Sequence, residues 1–120
     1  MKKQPINMTI EELSNFLINN GHFNTTHHIG GEILKSWHTP KITRLSPDVN
    51  SNTIFFDYTI ERVRDGLIHE NVAQLDFNDC SVWHNNNYTN RCHSSDFKLK
   101  DYNYLIKHGY DLPLLDYKND

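Results

Sequence analysis

The sequence predicts an α+β domain: an N-terminal helix and a short second helix packed on an antiparallel meander of three or more strands, then a long polar loop and a C-terminal helix. Three observations support this fold class. Apolar residues recur at helical spacing near both ends of the chain. The middle alternates apolar and polar residues, as strands do when one face of their sheet is wet. The chain of 120 residues has the size of one domain, so we expect a single domain over residues 1–120.

The first helix is predicted by its capping residues and its apolar stripe. Thr9 and Glu12 have the spacing of a capping box, and Gly21 can end the helix. The apolar stripe between them consists of Ile10, Leu13, Phe16 and Leu17. Residues 1–8 are predicted to be a disordered tail. No apolar run precedes Glu11, so neither a signal peptide nor a transmembrane helix is expected there.

A second helix is predicted from apolar residues at helical spacing, and two glycines limit its length. Gly30 and Gly31 interrupt any longer helix, since glycine is a poor helix former. We therefore predict a short helix over residues 31–37, before Pro40.

The alternating pattern in the central part of the sequence predicts the strands of the sheet. Residues 41–45 alternate before the turn sequence SPDVNSN, and residues 53–63 form the clearest strand. Gly66 then supplies a hairpin turn into a third strand over residues 67–77. The apolar face of the clearest strand is expected to consist of Ile54, Phe56, Tyr58 and Ile60.

Beyond the third strand the alternation stops. Residues 78–96 are therefore predicted to be a long polar loop. Helical spacing returns in a C-terminal helix that ends at Gly109, with Pro113 beyond it. Extended structure over residues 97–100 is the alternative for its start. The apolar positions of this helix are Leu99, Tyr102, Leu105 and Ile106.

The charge distribution indicates the kind of partner. A net charge of −3 has the wrong sign for a binder of phosphate backbones and is too small for a nucleic-acid mimic, so a nucleic acid is not expected as a direct ligand. The acidic excess falls within residues 67–96, where Arg91 is the one basic residue. We expect a protein partner that is more basic than acidic at the contact. The carboxylates of this window are Glu70, Asp76, Asp79 and Asp96.

The predicted loop carries residue types that are common in protein-binding surfaces. Trp83, Tyr88 and Arg91 belong to the types that dominate binding hot spots. The asparagines between them offer adaptable hydrogen bonds. Together with Asp76 and Asp79, these three are the predicted partner-binding residues. The alternative for Trp83 is a place in the core, where large aromatic side chains are usually found.

The same loop contains four potential metal ligands, Cys80, His84, Cys92 and His93. They could close a tetrahedral zinc site, and a metal would stabilise a loop with little apolar surface to bury. The cysteines lack the paired C-x2-C spacing that is typical of zinc sites. We therefore expect no cofactor, with zinc as the alternative. Without an export signal the two cysteines are expected to be free thiols, and a disulfide is the alternative for an exported chain.

These observations favour a small cytoplasmic protein-binding module that acts by occluding a partner protein, as an inhibitor, immunity or phage counter-defence protein does. No catalytic residue is predicted, since neither cysteine has a catalytic signature. The alternative is a small metal-dependent enzyme or a zinc-stabilised nucleic-acid-binding domain that uses the Cys/His cluster. A third hypothesis is a small-molecule pocket reached by Tyr58, His69 or Asp57. The edge strands of a small sheet also leave a homodimer open.

Overall fold

The computed structural model describes residues 3–22, 38–86 and 91–111. These residues form a 3-10 turn (Pro5–Asn7), helix α1 (Ile10–Asn19), strands β1 (Lys41–Asp48), β2 (Thr53–Glu61), β3 (Ile68–Asp76), β4 (Ser81–Asn86) and β5 (Arg91–Asp96), and helix α2 (Leu99–Lys107). The strands pair in the order β1-β2-β3-β4-β5, each antiparallel to its neighbour. The predicted α+β class is confirmed. The second helix predicted over 31–37 lies outside the described residues.

Helix α1 begins and ends as its sequence predicts. The backbone N–H of Glu12 donates to Thr9 Oγ1 at 3.1 Å, and the N–H of Thr9 donates to Glu12 Oε1 at 2.9 Å. The hydrogen bond from the backbone N–H of Thr9 is the main reason why the pKa of Glu12 is lowered. At the other end Gly21 has a φ of +79°, and the N–H of His22 donates to the carbonyl of Leu17. This is the Schellman arrangement that glycine favours.

The N-terminal tail is ordered from residue 3, so the prediction of a disordered segment over residues 1–8 is wrong for residues 3–8. Ile6 and Met8 are buried in the core. Lys3 forms a parallel bridge with Tyr110, in which its N–H donates to the carbonyl of Gly109 at 2.8 Å. Two apolar side chains and a backbone pairing with the far end of the chain hold the tail in place.

The long polar loop predicted over 78–96 is also wrong, because most of it forms the hairpin of β4 and β5. The register runs without a shift from Ser81 opposite Asp96 to Asn86 opposite Arg91. The alternation is hidden in the sequence because only one inward residue of β4, Val82, is apolar. The next inward residue is His84, which is buried although it is polar.

The core lies between the two helices and one face of the sheet. We call this face the inner face and the opposite one the outer face. The predicted apolar face of β2 is confirmed as inner. The helices contribute Leu13, Phe16, Leu17, Tyr102 and Leu105 to the same cluster of buried residues.

Helix α2 is confirmed, but its buried stripe differs from the predicted one. Leu99 is 61% exposed and Ile106 is 46% exposed, while Asp101 is completely buried. Gly109, with a φ of +87°, ends the helix as predicted. In the described parts of the chain, neither helix is long and apolar enough to cross a membrane.

Candidate binding surface on the outer face

The outer face of the sheet carries an exposed apolar cluster, which we call the apolar centre: Phe55, Val72 and Trp83. Phe55 and Val72 are each 41% exposed, and Trp83 is half-buried. The register brings them together across three strands, since Gln74 pairs with Phe55 on one side and with Trp83 on the other. Val72 precedes Gln74 by two residues and therefore shares its face. Exposed apolar clusters of this kind are typical of binding sites.

A groove of about 200 Å³ lies over the apolar centre. Its polar margin includes Arg44 and Asp57, whose Nε and Oδ2 atoms are 3.5 Å apart. The Arg44 side chain is 73% exposed, so this ion pair is open to solvent and weak. The groove is lined by the apolar centre together with Arg44, Ser46, Phe56, Asp57, Ala73 and Gln74.

The outer face is more acidic than the chain as a whole. Strand register places six carboxylates at outer-face positions against two cations, Lys41 and Arg44. Asp57 lies in the groove. The other carboxylates stand around the apolar centre, and we call them the acidic rim: Asp48, Asp76 and Asp96 at one end of the sheet, and Glu61 and Glu70 toward the other. The excess of four negative charges on this face exceeds the net charge of −3 of the whole chain.

Of the predicted partner-binding residues, two reach the outer face. Trp83 lies there because its strand neighbours Val82 and His84 are the inward residues, so the alternative of a core position is wrong. Asp76 stands in the acidic rim. Arg91 occupies an inner-face register position, opposite Asn86.

The remaining two predicted contacts lie elsewhere. Asp79 is exposed on the turn between β3 and β4. That turn is held by Asp76, whose Oδ1 accepts the N–H groups of Asn78 and Asp79 at 2.7 and 3.0 Å. Asp76 therefore shapes the turn as well as contributing charge to the outer face. Tyr88 falls outside the described residues.

The four predicted metal ligands are spread over a turn and both faces of the sheet. Cys80 is buried in the β3–β4 turn, where its Sγ donates to the carbonyl of Phe77 at 3.7 Å. His84 is on the inner face, and His93 stands opposite it in the register, whereas Cys92 stands opposite Asn85 at an outer-face position. Within 3–22, 38–86 and 91–111, no group of three or more His, Cys, Asp or Glu is arranged to hold a metal ion. Zinc binding by these residues stays the untested alternative to the expectation of no cofactor.

Among the described residues, two pairs of buried polar side chains were not predicted from the sequence. The hydroxyl of Tyr58 is 3.0 Å from His84 Nδ1 across the inner face. Burial raises the pKa of Tyr58, so the phenol keeps its proton in this hydrogen bond with His84. Between the helices, His22 Nε2 lies 2.9 Å from Asp101 Oδ1, with both side chains almost fully buried. A sequence signal existed for the second pair, because a polar residue follows the helix-ending Gly21 where an apolar residue is usual.

The third hypothesis was a small-molecule pocket, and its three residues lie on both faces of the sheet. Tyr58 is on the inner face, and so is His69, which pairs with Ile60. Asp57 lies on the outer face. Asp57 therefore cannot share an inner pocket with the other two residues.

Comparison with models of known protein families, with curated protein sequences and with solved structures finds no match for this chain.

Proposed function

We propose that the protein is a small cytosolic binding module that occludes a basic protein partner with the outer face of its sheet, in the manner of an inhibitor, immunity or phage counter-defence protein. The observation that carries this proposal is the position of the apolar centre inside the acidic rim. An apolar, partly aromatic centre surrounded by polar residues is the usual anatomy of a protein–protein interface. Tryptophan at such a centre is a frequent hot-spot residue.

The dimensions of the outer face suit a specific interface. Nine residues of β2 span about 30 Å, and five strands span about 20 Å. Side chains on such a surface can bury an area approaching the roughly 800 Å² per partner of a standard interface. One face of the sheet is therefore large enough to cover a functional site on another protein.

The negative charge of the outer face favours a partner with a basic surface. Its carboxylates attract a basic surface and raise the rate of encounter with it. Two copies of this chain would instead meet carboxylate against carboxylate. A basic protein is therefore the proposed occupant of this face, and a second copy of the chain is not.

The test begins by isolating the partner with the tagged full chain from cells of the source organism and identifying it by mass spectrometry. The partner is then purified and titrated with the wild-type protein and with the double variant Phe55→Ser/Trp83→Ser. We expect the double variant to lose about 100-fold or more in affinity, because it removes two large contacts from the middle of the interface. Isothermal titration calorimetry measures this difference.

The matched control is the double variant Val49→Ser/Leu99→Ser. It also replaces two exposed apolar residues, but neither belongs to the apolar centre. Its affinity should stay within about threefold of wild type. If the outer-face variant is folded and binds the partner as tightly as the control does, the proposed docking surface is wrong.

A further inference from the structure

We infer that the groove over the apolar centre takes one arginine side chain of the basic partner. This inference rests on the proposed function and specifies the chemistry of its central contact. The groove combines the three elements that an arginine needs: apolar walls, aromatic rings and a carboxylate at the margin.

The walls of the groove suit the two parts of an arginine side chain. Val72 offers an apolar surface for the methylene stem, which packs on such surfaces while its charged head stays polar. Phe55 and Trp83 offer aromatic rings, on which a guanidinium stacks more readily than other cations. The groove of about 200 Å³ has room for one large side chain.

Asp57 supplies the charge partner. Its carboxylate belongs to the groove lining and is already 3.5 Å from the guanidinium Nε of Arg44. At the margin of the groove, one guanidinium group is therefore already in a weak ion pair with Asp57. An incoming arginine can share or take over this carboxylate with two parallel N–H···O bonds.

Other occupants fit less well. An apolar side chain would bring Asp57 out of water without a new partner, which is costly for a carboxylate. An anionic side chain would meet the field of the acidic rim, and like charges placed together at an interface weaken binding. The two groups at the margin, Arg44 and Asp57, thus give opposite and measurable effects on a cationic occupant.

The experiment titrates the ¹⁵N-labelled full chain with N-acetyl-arginine amide and, separately, with N-acetyl-norleucine amide at the same ionic strength. Chemical shifts of the Trp83 indole N–H and the Val72 amide report occupancy, and Trp37→Phe assigns the indole signals. We expect saturable binding of the arginine amide with a Kd on the order of millimolar, and at least fivefold weaker binding of norleucine amide.

Two single variants test the sign of the charge. Arg44→Ala removes a competing cation, so it should tighten binding of arginine amide about two- to threefold. Asp57→Asn removes the charge partner and should weaken binding about threefold or more. Glu11→Gln on α1 is the matched control for loss of one carboxylate and should leave the Kd unchanged. Amide spectra of each variant establish that the fold is intact.

The contrary outcomes are equally distinct. Equal binding of norleucine amide would show an apolar site, and weaker binding of arginine amide after Arg44→Ala would contradict the inferred competition between Arg44 and the incoming arginine for Asp57. An absence of saturable shifts at Trp83 would mean that the groove takes no arginine. If the partner still loses affinity for Phe55→Ser/Trp83→Ser, such a result overturns this inference and leaves the proposed function standing.

Discussion

Within the part of the chain that the structure describes, two pairs of buried polar side chains stand out. Tyr58 and His84 meet on the inner face of the sheet, and His22 and Asp101 meet between the helices. Asp101 also accepts the N–H of Lys98 at 2.7 Å through its other oxygen, so it serves both the start of α2 and the helix–helix contact. Removing one partner of such a pair lowers the stability of the fold, because water cannot take the place of the lost partner.

At the scale of residues, we predict that Tyr58→Phe destabilises the fold by about 1–2 kcal/mol. The substitution keeps the ring in the core and removes only the hydroxyl that is hydrogen-bonded to His84 Nδ1. Urea unfolding followed by circular dichroism measures the change. Tyr104→Phe is the control, since Tyr104 is only half-buried at the edge of the core. Equal stability of the two variants would show that the Tyr58–His84 hydrogen bond contributes nothing.

Among the elements, the β2–β3 hairpin is stabilised by a carboxylate inside its own turn. Arg62 donates from Nε and Nη2 to the two oxygens of Asp65 at 3.0 and 2.9 Å, and the N–H of Leu67 donates to the same carboxylate at 3.1 Å. Gly66 has a φ of +73°, which the turn requires. These hydrogen bonds, the one from Arg62 first, lower the pKa of Asp65 to about 2.

The hairpin prediction concerns pH. Because the pKa of Asp65 is lowered from 3.8 in the folded state, its contribution to stability is complete above pH 3.8 and is lost as the pH falls toward about 2. A ¹³C NMR titration of the Asp65 carboxyl group should give a pKa of about 2, and the Arg62→Ala variant should move it back toward 3.8. The carboxyl is exposed, so the effect on global stability is small. An ordinary pKa in the wild-type protein would contradict the observed turn geometry.

For the molecule as a whole, the important feature is that charge is distributed unevenly between its two sides. Carboxylates from β1, β2, β3 and β5 lie on the outer face, whereas the helices cover the inner face. A basic partner approaching the outer face therefore meets an attractive field before any contact forms.

The corresponding prediction concerns association kinetics. Glu70→Lys/Asp96→Lys should reduce the association rate constant with the partner about tenfold at low salt, with a smaller effect on dissociation. The difference should shrink as salt screens the exposed charges. Surface plasmon resonance at several salt concentrations measures both rates. Glu11→Lys, on the exposed surface of α1, should change the association rate far less; an equal loss would show that net charge rather than the outer face controls encounter.

How far the candidate site could be predicted depends on the residue. Trp83 and Asp76 were predicted as partner contacts from residue type, and both stand on the outer face. Phe55 and Val72 were not singled out, because an apolar residue on the wet face of a strand is common and carries no signal alone. Their importance comes from their proximity to Trp83, and that proximity depends on the pairing of three strands.

Features that depend on residues a few positions apart can be predicted from the sequence alone. These include the capping box at the start of α1, the glycines that end both helices, the alternation of β2 and the glycine of its hairpin turn. Each is a local interaction, so a short stretch of sequence contains the whole signal.

The tertiary structure sets the face of the sheet that each distant residue occupies. It turned the expected loop into β4 and β5, placed Trp83 outside the core and brought Asp48 and Asp96 to the same face. Strand pairing joins segments that lie far apart in the chain, and a shift of one residue would reverse the face of every side chain in a strand. The register, and with it the acidic binding surface, is therefore a property of the packed sheet.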